Sequence, residues 1–471
     1  MRPTPPHAPH SLEGIRRLLV SIALAGCGLC PGSRAGASST FAIETVDPRL
    51  VTNFFSMALD HLGRPRIAYR YGGGEGGSNG DLYYASRESG AWVLEPVDTL
   101  GDVGWDASLR LDTNDVPHIA YTDFTHNQLN YATLDGGNWV IETIEAPPAG
   151  YYVQQGSLAF DSNGDPHVAY GVNNVPLFRY ASRNGGTWST EIVASFRIAL
   201  WISLEIDSQD VPHISYWDAA NHLGYATKVG GAWSFETIET SDQYSPRYSS
   251  LALDSDAPEV AFYRPTSSSD GDLALATRGG SGWTTELVDT AGTTGYTPSL
   301  RLDGGEPRVS YYDVTNGSLR YARKISGIWS AETVDDRRNS GHPSSLGIDP
   351  DGHAWIAYVA TGEANQNGHL MAAHEGATAD VPKSRLEESP RIRVWPIPAA
   401  SLVHVSISLP SAEIATLALH DLSGRAVASY RLDGSSAERY VFPLSGVAPG
   451  LYWLRLTRAE GSIARPVVVI R

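Results

Sequence analysis

The chain has 471 residues, enough for more than one hydrophobic core, and is 42% hydrophobic, 10% aromatic and only 18% charged. A formal net charge of −17, with no basic run longer than Arg337-Arg338, argues against nucleic-acid binding, which needs clustered Lys and Arg. Abundant Gly (47), Tyr (23) and Trp (12) beside so few charges point to an all-β, extracellular chain.

In chain order, residues 1–37 read as a signal peptide. Arg16-Arg17 supply positive charge, Leu18–Leu29 is apolar but too short to span a membrane, and Ala35-Gly36-Ala37 offers a small-residue cleavage site. Leu24-Ala25-Gly26-Cys27 has the form of a lipobox, so lipidation at Cys27 stands as the alternative to cleavage near Ala37. Both cysteines, Cys27 and Cys30, lie in this segment, which leaves none in the body for disulfides or thiolate metal sites.

Residues 38–374 are predicted to form a seven-bladed β-propeller. One unit reads Ser-Leu-x-Leu-Asp, Pro-His-Ile-Ala-Tyr, Leu-x-Tyr-Ala-Thr and Trp-x-x-Glu-Thr-Val; the second unit carries it at Ser108–Asp112, Pro117–Tyr121, Leu129–Thr133 and Trp139–Ile144. The marker Trp recurs at 92, 139, 188, 233, 283 and 329, and the marker Asp at 60, 112, 161, 207, 254, 303 and 349. Short β-branched and aromatic runs between Gly, Asn, Asp and Pro are strands joined by tight turns. Four such strands in every 45–50 residues is propeller spacing. The last unit stops without its Trp-x-x-Glu strand, and Phe41-Ala-Ile-Glu44-Thr-Val46 matches the missing piece with Phe in place of Trp. The first strand is therefore expected to complete the last blade.

The repeated residues read as structure. The Trp should pack between blades, and the Glu residues (44, 95, 142, 191, 236, 286 and 332) should charge an outer strand against edge-to-edge pairing. His118, His167 and His213 become Arg66, Glu259 or Arg308 in other units, which argues against a ring of metal ligands. Asp161, Asn163 and Asp165 read as a turn in preference to a Ca²⁺ loop, since other units lack the third acid.

Loops between second and third strands, and crossings between blades, should share one face. That face is rich in aromatics: Trp105, Trp201, Tyr248 and Tyr296 precede innermost strands, and Trp217 ends a second strand. Asp123, Asp218 and Asp313 follow second strands in units two, four and six, while units one and five carry Arg70 and Arg264. Aromatic faces beside carboxylates suit carbohydrate, so Trp105, Asp123, Trp201, Trp217, Asp218, Tyr248, Tyr296 and Asp313 are the expected ligand-binding residues. The units loosely resemble sialidase-type and related sugar-binding propellers. Their Ser-x-Asp-x-Gly-x-x-Trp box is missing here and their fold has six blades, so no catalytic residue is assigned.

Residues 375–390 form a polar linker, and 391–471 show alternating strands of a small β-sandwich. Val394-Trp-Pro-Ile-Pro398, Asp421-Leu-Ser-Gly-Arg425, Ala448-Pro-Gly-Leu-Tyr452, Leu454-Arg-Leu456 and the Val-rich end Arg465–Arg471 resemble the C-terminal sorting domain of the type IX secretion system. The resemblance implies a secreted or outer-membrane surface protein of a Gram-negative bacterium, with the type IX machinery as a partner. The leading expectation is a monomeric, non-catalytic binder of glycan or another surface ligand, with no cofactor, no metal, no nucleic acid and no transmembrane helix. The alternative is a glycoside hydrolase or polysaccharide lyase, with Asp123, Asp218, Asp313, Arg70 and Arg264 as the groups to test.

Overall fold

Turn residues cut the chain into short runs, and in the computed structural model every run forms a strand; among the described residues there is no helix. The structure describes residues 41–376 and 391–469, apart from 73–78, 89, 174–176, 196–199, 219, 221, 241–246, 338, 362–367, 396–401, 409–413, 422–423, 434–436 and 459–460. The signal peptide and most of the linker lie outside the described residues. The chain divides into two compact units, Met1–Ala377 and Thr378–Arg471.

The first unit is a propeller-like β domain. Five four-stranded antiparallel sheets each take their strands from consecutive segments, and a sixth sheet has seven strands. Phe41–Leu59 lies in the middle of that larger sheet and belongs to two repeats. Its first half pairs with Gly368–Glu375 of the seventh repeat, from Phe41 opposite Glu375 to Val51 opposite Gly368. Its second half pairs with Pro65–Gly72 of the first repeat. The first strands of successive repeats neighbour one another, and that of the seventh neighbours that of the first.

Identical chemistry explains why the repeats stack. Four of the six marker Trp residues set their rings edge-on against a third-strand Tyr of the preceding repeat: Trp139 on Tyr84, Trp188 on Tyr131, Trp233 on Tyr180 and Trp283 on Tyr225, with centroids 5.2–5.4 Å apart. For three of them the indole N–H and a third-strand cation converge on the preceding repeat's Glu. Arg183 and Trp188 meet Glu142, Lys228 and Trp233 meet Glu191, and Arg278 and Trp283 meet Glu236. These glutamates clasp neighbouring sheets, which goes beyond charging an edge. Phe41 takes the Trp position against Tyr321 (5.6 Å, 73°), and Glu44 accepts from Arg87 of the first repeat at 2.8 Å.

At the other end of each sheet, the Ser of Ser-Leu-x-Leu-Asp binds the next repeat. Its hydroxyl accepts the backbone N–H three residues before the next marker Asp: Leu158 to Ser108, Leu204 to Ser157, Leu251 to Ser203, Leu300 to Ser250 and Leu346 to Ser299, each at 3.0 Å. Met57 to Ser345, at 3.1 Å, carries the series from the seventh repeat back to the first. Each bond satisfies a backbone donor that would otherwise cost about 1–3 kcal/mol. The marker Asp caps its own hairpin: Asp161 Oδ1 accepts N–H groups of Asn163 and Asp165, as Asp112 does from Asn114 and Val116.

In the second unit, a three-stranded and a four-stranded sheet contribute Val403, Val405, Leu417, Leu419, Leu454, Leu456 and Val467 to one buried cluster. Its first strand is Arg391–Trp395.

Candidate functional site

The innermost strands share a backbone irregularity. Six residues before the marker Asp, Asp106, Gln155, Trp201, Tyr248 and Thr297 all have positive φ, between 44° and 54°. The ladder to the second strand slips at or beside each of these positions, as a β-bulge does. Non-glycine residues avoid this region, and a β-branched Thr297 most of all. A conformation repeated at cost in five repeats turns five unlike side chains onto one axial cavity.

That cavity has a volume of about 360 Å³, and all seven first strands line it, from Phe55 of the first repeat to His342–Ser344 of the seventh. Phe55, Trp201, Tyr248 and His342 are its aromatic lining, and further rings back them. Trp201 meets Trp217 at 5.3 Å and Tyr248 at 4.8 Å; Tyr248 meets Tyr296 at 5.3 Å; His342 touches Tyr248, Tyr296 and Tyr312. Burial pulls His342 below its ordinary imidazole value, so it presents a neutral ring. Asp106 and Gln155 supply the cavity's polar lining. Asp106 Oδ2 accepts the Gln155 N–H at 2.8 Å, and the Gln155 side-chain oxygen accepts the Trp201 N–H. Burial pushes the Asp106 carboxyl up to about 6, against the lowering effect of the Gln155 N–H.

Four residues further along the same strands the side chains are Ala58, Arg110, Ala159, Glu205, Ala252, Arg301 and Gly347. Arg110 and Glu205 pair at 2.7 Å from repeats two and four. Arg301 donates to the Leu300 carbonyl, and burial, with Arg110 nearby, pulls it down to about 10. Small residues in the other repeats leave room for these three long side chains.

Of the residues expected from sequence, Trp201, Trp217, Tyr248 and Tyr296 come together in the aromatic arc. Trp105 belongs elsewhere: its indole N–H donates to Asp102, Arg70 stacks on it at 4.2 Å, and Phe124 meets it at 4.9 Å. The three Asp residues shape loops. Asp123 accepts the His126 N–H and pairs with its ring, Asp218 accepts the Ala220 and His222 N–H groups, and Asp313 accepts from Asn316 twice. Asp123 and Asp313 are buried, whereas Asp218 keeps some exposure. Arg264 pairs with Glu239 at 3.0 Å. Asp106 and Gln155 escaped sequence reasoning. Counting back six residues from each marker Asp aligns them with Trp201 and Tyr248 and would have found them.

In the second unit the motif residues build turns. Asp421 accepts the Arg425 N–H at 3.0 Å, its carbonyl accepts that of Gly424 (φ 84°), and the Tyr452 hydroxyl donates to the Ala448 carbonyl at 2.8 Å. Residues 393–470 match the family described as Secretion system C-terminal sorting domain. The tail is a type IX sorting domain. A chain bearing this sorting domain is secreted or held at the outer-membrane surface of a Gram-negative bacterium. No helix among the described residues is long and apolar enough to cross a membrane.

No curated protein matches the chain. Among solved structures, a fungal alcohol oxidase of the AA5 family in complex with copper is similar at 12% identity, over 91% of this chain and 98% of its own, with a TM-score of 0.53. A polysaccharide lyase of family PL25, an ulvan lyase bound to -[GlcA(1-4)Rha3S]-, is similar at 13% identity, over 69% and 94%, with a TM-score of 0.50. The Aleuria aurantia lectin in complex with Fucalpha1-6GlcNAc is similar at 14% identity, over 62% and 98%, with a TM-score of 0.41. At these identities the first two likenesses are of fold alone.

Proposed function

We propose that residues 38–374 form a closed seven-bladed β-propeller that binds a glycan at its axial cavity without turning it over. Signal peptide 1–37, linker 375–390 and sorting domain 391–471 deliver it, as a monomer, to the cell exterior. Closure is supported by the shared strand Phe41–Leu59, the Met57–Ser345 hydrogen bond and the Glu44–Arg87 pair. The observation that carries the binding reading is the pair Trp201 and Tyr248, backed by Trp217 and Tyr296, in a cavity that Asp106 and Gln155 also line. Sugar rings offer apolar C–H faces for stacking and hydroxyls for polar acceptors, and the cavity supplies both within the span of one or two residues of glycan. Asp218 would extend the acceptor set, while Trp105, Asp123 and Asp313 hold the surrounding loops.

One observation favours the enzyme reading. A cavity carboxyl raised to about 6, as at Asp106, is suited to donate a proton near neutral pH in a hydrolase or lyase. A glycan-array screen that includes acidic polysaccharides, run beside an assay for released reducing ends and unsaturated products, separates the two. Binding without product release, weakened at least ten-fold in Trp201→Ala with the fold retained, is the expected result. Product release abolished by Asp106→Asn would establish the enzyme instead. Undiminished binding by Trp201→Ala and Tyr248→Ala together would remove the cavity as the site.

A further inference from the structure

The two oxygens of the marker Asp have separate tasks. Oδ1 caps the hairpin turn; in the seventh repeat Asp349 Oδ1 accepts the N–H groups of Asp351 and His353. Oδ2 meets a side chain: His213 in the fourth repeat, Arg308 in the sixth, Arg64 and Arg66 in the first. The seventh repeat alone brings two imidazoles to it. Trp355 stands at the position of His118, His167 and His213, and His353 and His374 stand where the second repeat has Val116 and Thr133. His353 Nδ1 lies 3.4 Å and His374 Nε2 3.8 Å from Asp349 Oδ2, and the three ligand atoms are all within 4.8 Å of one another.

We infer that Asp349, His353 and His374 form a zinc site, with water completing the coordination. Ligand atoms about 2.0–2.2 Å from a tetrahedral zinc stand roughly 3.4 Å apart, so two edges of the triangle are already near their bound length. Imidazole nitrogens beside one carboxylate suit zinc, whereas calcium and magnesium require oxygen sets.

The ligands are braced before any metal arrives. His374 stacks on Trp355 at 4.1 Å with planes 20° apart, and its strand pairs with the closing strand at Ala42. The Asp349 turn is held by the first repeat: a Cβ added at Gly63 would come within 2.7 Å of Pro350 and 2.8 Å of Asp349. All three ligands keep partial exposure, which leaves an entry path. A bound ion would tie the first hairpin of the seventh repeat to its third strand, beside the strand that joins the two ends of the domain. Nothing in this depends on the glycan reading.

The test uses the full, untagged chain stripped with EDTA and titrated with zinc chloride, followed by calorimetry and thermal melting. One equivalent should bind at micromolar concentration and raise the melting temperature by a few degrees at about a hundred-fold excess over Kd. Calcium chloride should do neither. His353→Asn and His374→Gln should each weaken zinc at least ten-fold. Their melting in EDTA identifies any variant that simply fails to fold, and the wild-type stoichiometry decides even then. No saturable uptake by the wild type below about 100 μM, or unchanged uptake by the folded double variant, would overturn the site.

Discussion

Around the rim, Arg183, Lys228 and Arg278 reach the same Glu from the same strand, and Trp188, Trp233 and Trp283 lie on the same Tyr; at the axis the equivalent positions hold Asp106, Gln155, Trp201, Tyr248 and Thr297. The rim repeats its side chains because each answers the same neighbour. The axis repeats only its backbone. Holding non-glycine residues at positive φ costs on the order of 1–3 kcal/mol each, and no packing rule selects those five unlike residues for it. Rim contacts offset that cost, and the axis uses it to direct varied side chains into one cavity. Under the proposed function, stability and recognition are thus divided between the two ends of the same sheets.

The sharpest way to break this division is at Phe41–Leu59, the strand shared by the first and seventh repeats, where rim and axis meet in one segment. Removing Phe41–Val46 takes away the partner of Met371–Glu375, the Phe41–Tyr321 contact and the Glu44–Arg87 pair together. The expected loss is on the order of 5 kcal/mol or more, roughly 10 °C in melting temperature for a domain of this size. Calorimetry on the truncated chain checks it. Melting within about 2 °C of the full chain would show that this strand does not hold the first and seventh repeats together.

The rim was largely legible in the amino-acid sequence, because periodic Trp and Glu residues mark it and Phe41 stands visibly in a Trp position. The axis was not. Trp105 and Tyr296 lie seven residues before the marker Asp, whereas Trp201 and Tyr248 lie six before, and all four look alike as aromatics ahead of a strand. A bulge moves each side chain by one residue, which in a strand exchanges its faces. Only Trp201 and Tyr248 consequently line the cavity. The acids ending second strands carried a readable clue that went unused: Asp123-x-x-His126 and Asp313-x-x-Asn316 are side-chain-capped turns.

Glu236 at the rim and Asp106 at the axis respond to pH in opposite senses. Hydrogen bonding to Arg278 holds Glu236 below the usual carboxylate range, so its stabilising contribution is present at neutral pH and fades as pH falls through that lowered value. Burial raises Asp106 from 3.8 to about 6, so the folded state binds a proton there that the unfolded chain has released. The contribution of Asp106 is therefore full below about 3.8 and is lost as pH rises through 6, a swing of roughly 2–3 kcal/mol. Urea unfolding across pH 4–7 should give Asp106→Asn a gain of about that size over wild type at pH 7 and none at pH 4. An identical pH profile in the two proteins would mean that Asp106 is solvated in the cavity.

The smallest effect, and the one with an unusual sign, concerns Thr297. Its φ is 44°, its side chain is β-branched, and its hydroxyl is buried without a hydrogen-bond partner. Thr297→Gly removes the Cβ that makes this conformation costly and the hydroxyl that burial leaves unsatisfied, while the loss of a single methyl and the added freedom of the unfolded chain pull the other way. The balance is a gain of about 1 kcal/mol, measurable as a higher denaturation midpoint with unchanged slope. The same replacement at a rim position such as Thr190, which accepts from Arg179 in an ordinary strand, should destabilise by a similar amount. Opposite signs at the two sites would confirm that strain is stored at the axis. Equal destabilisation would place Thr297 in a relaxed backbone and remove the argument that the bulge is held there for the sake of the cavity.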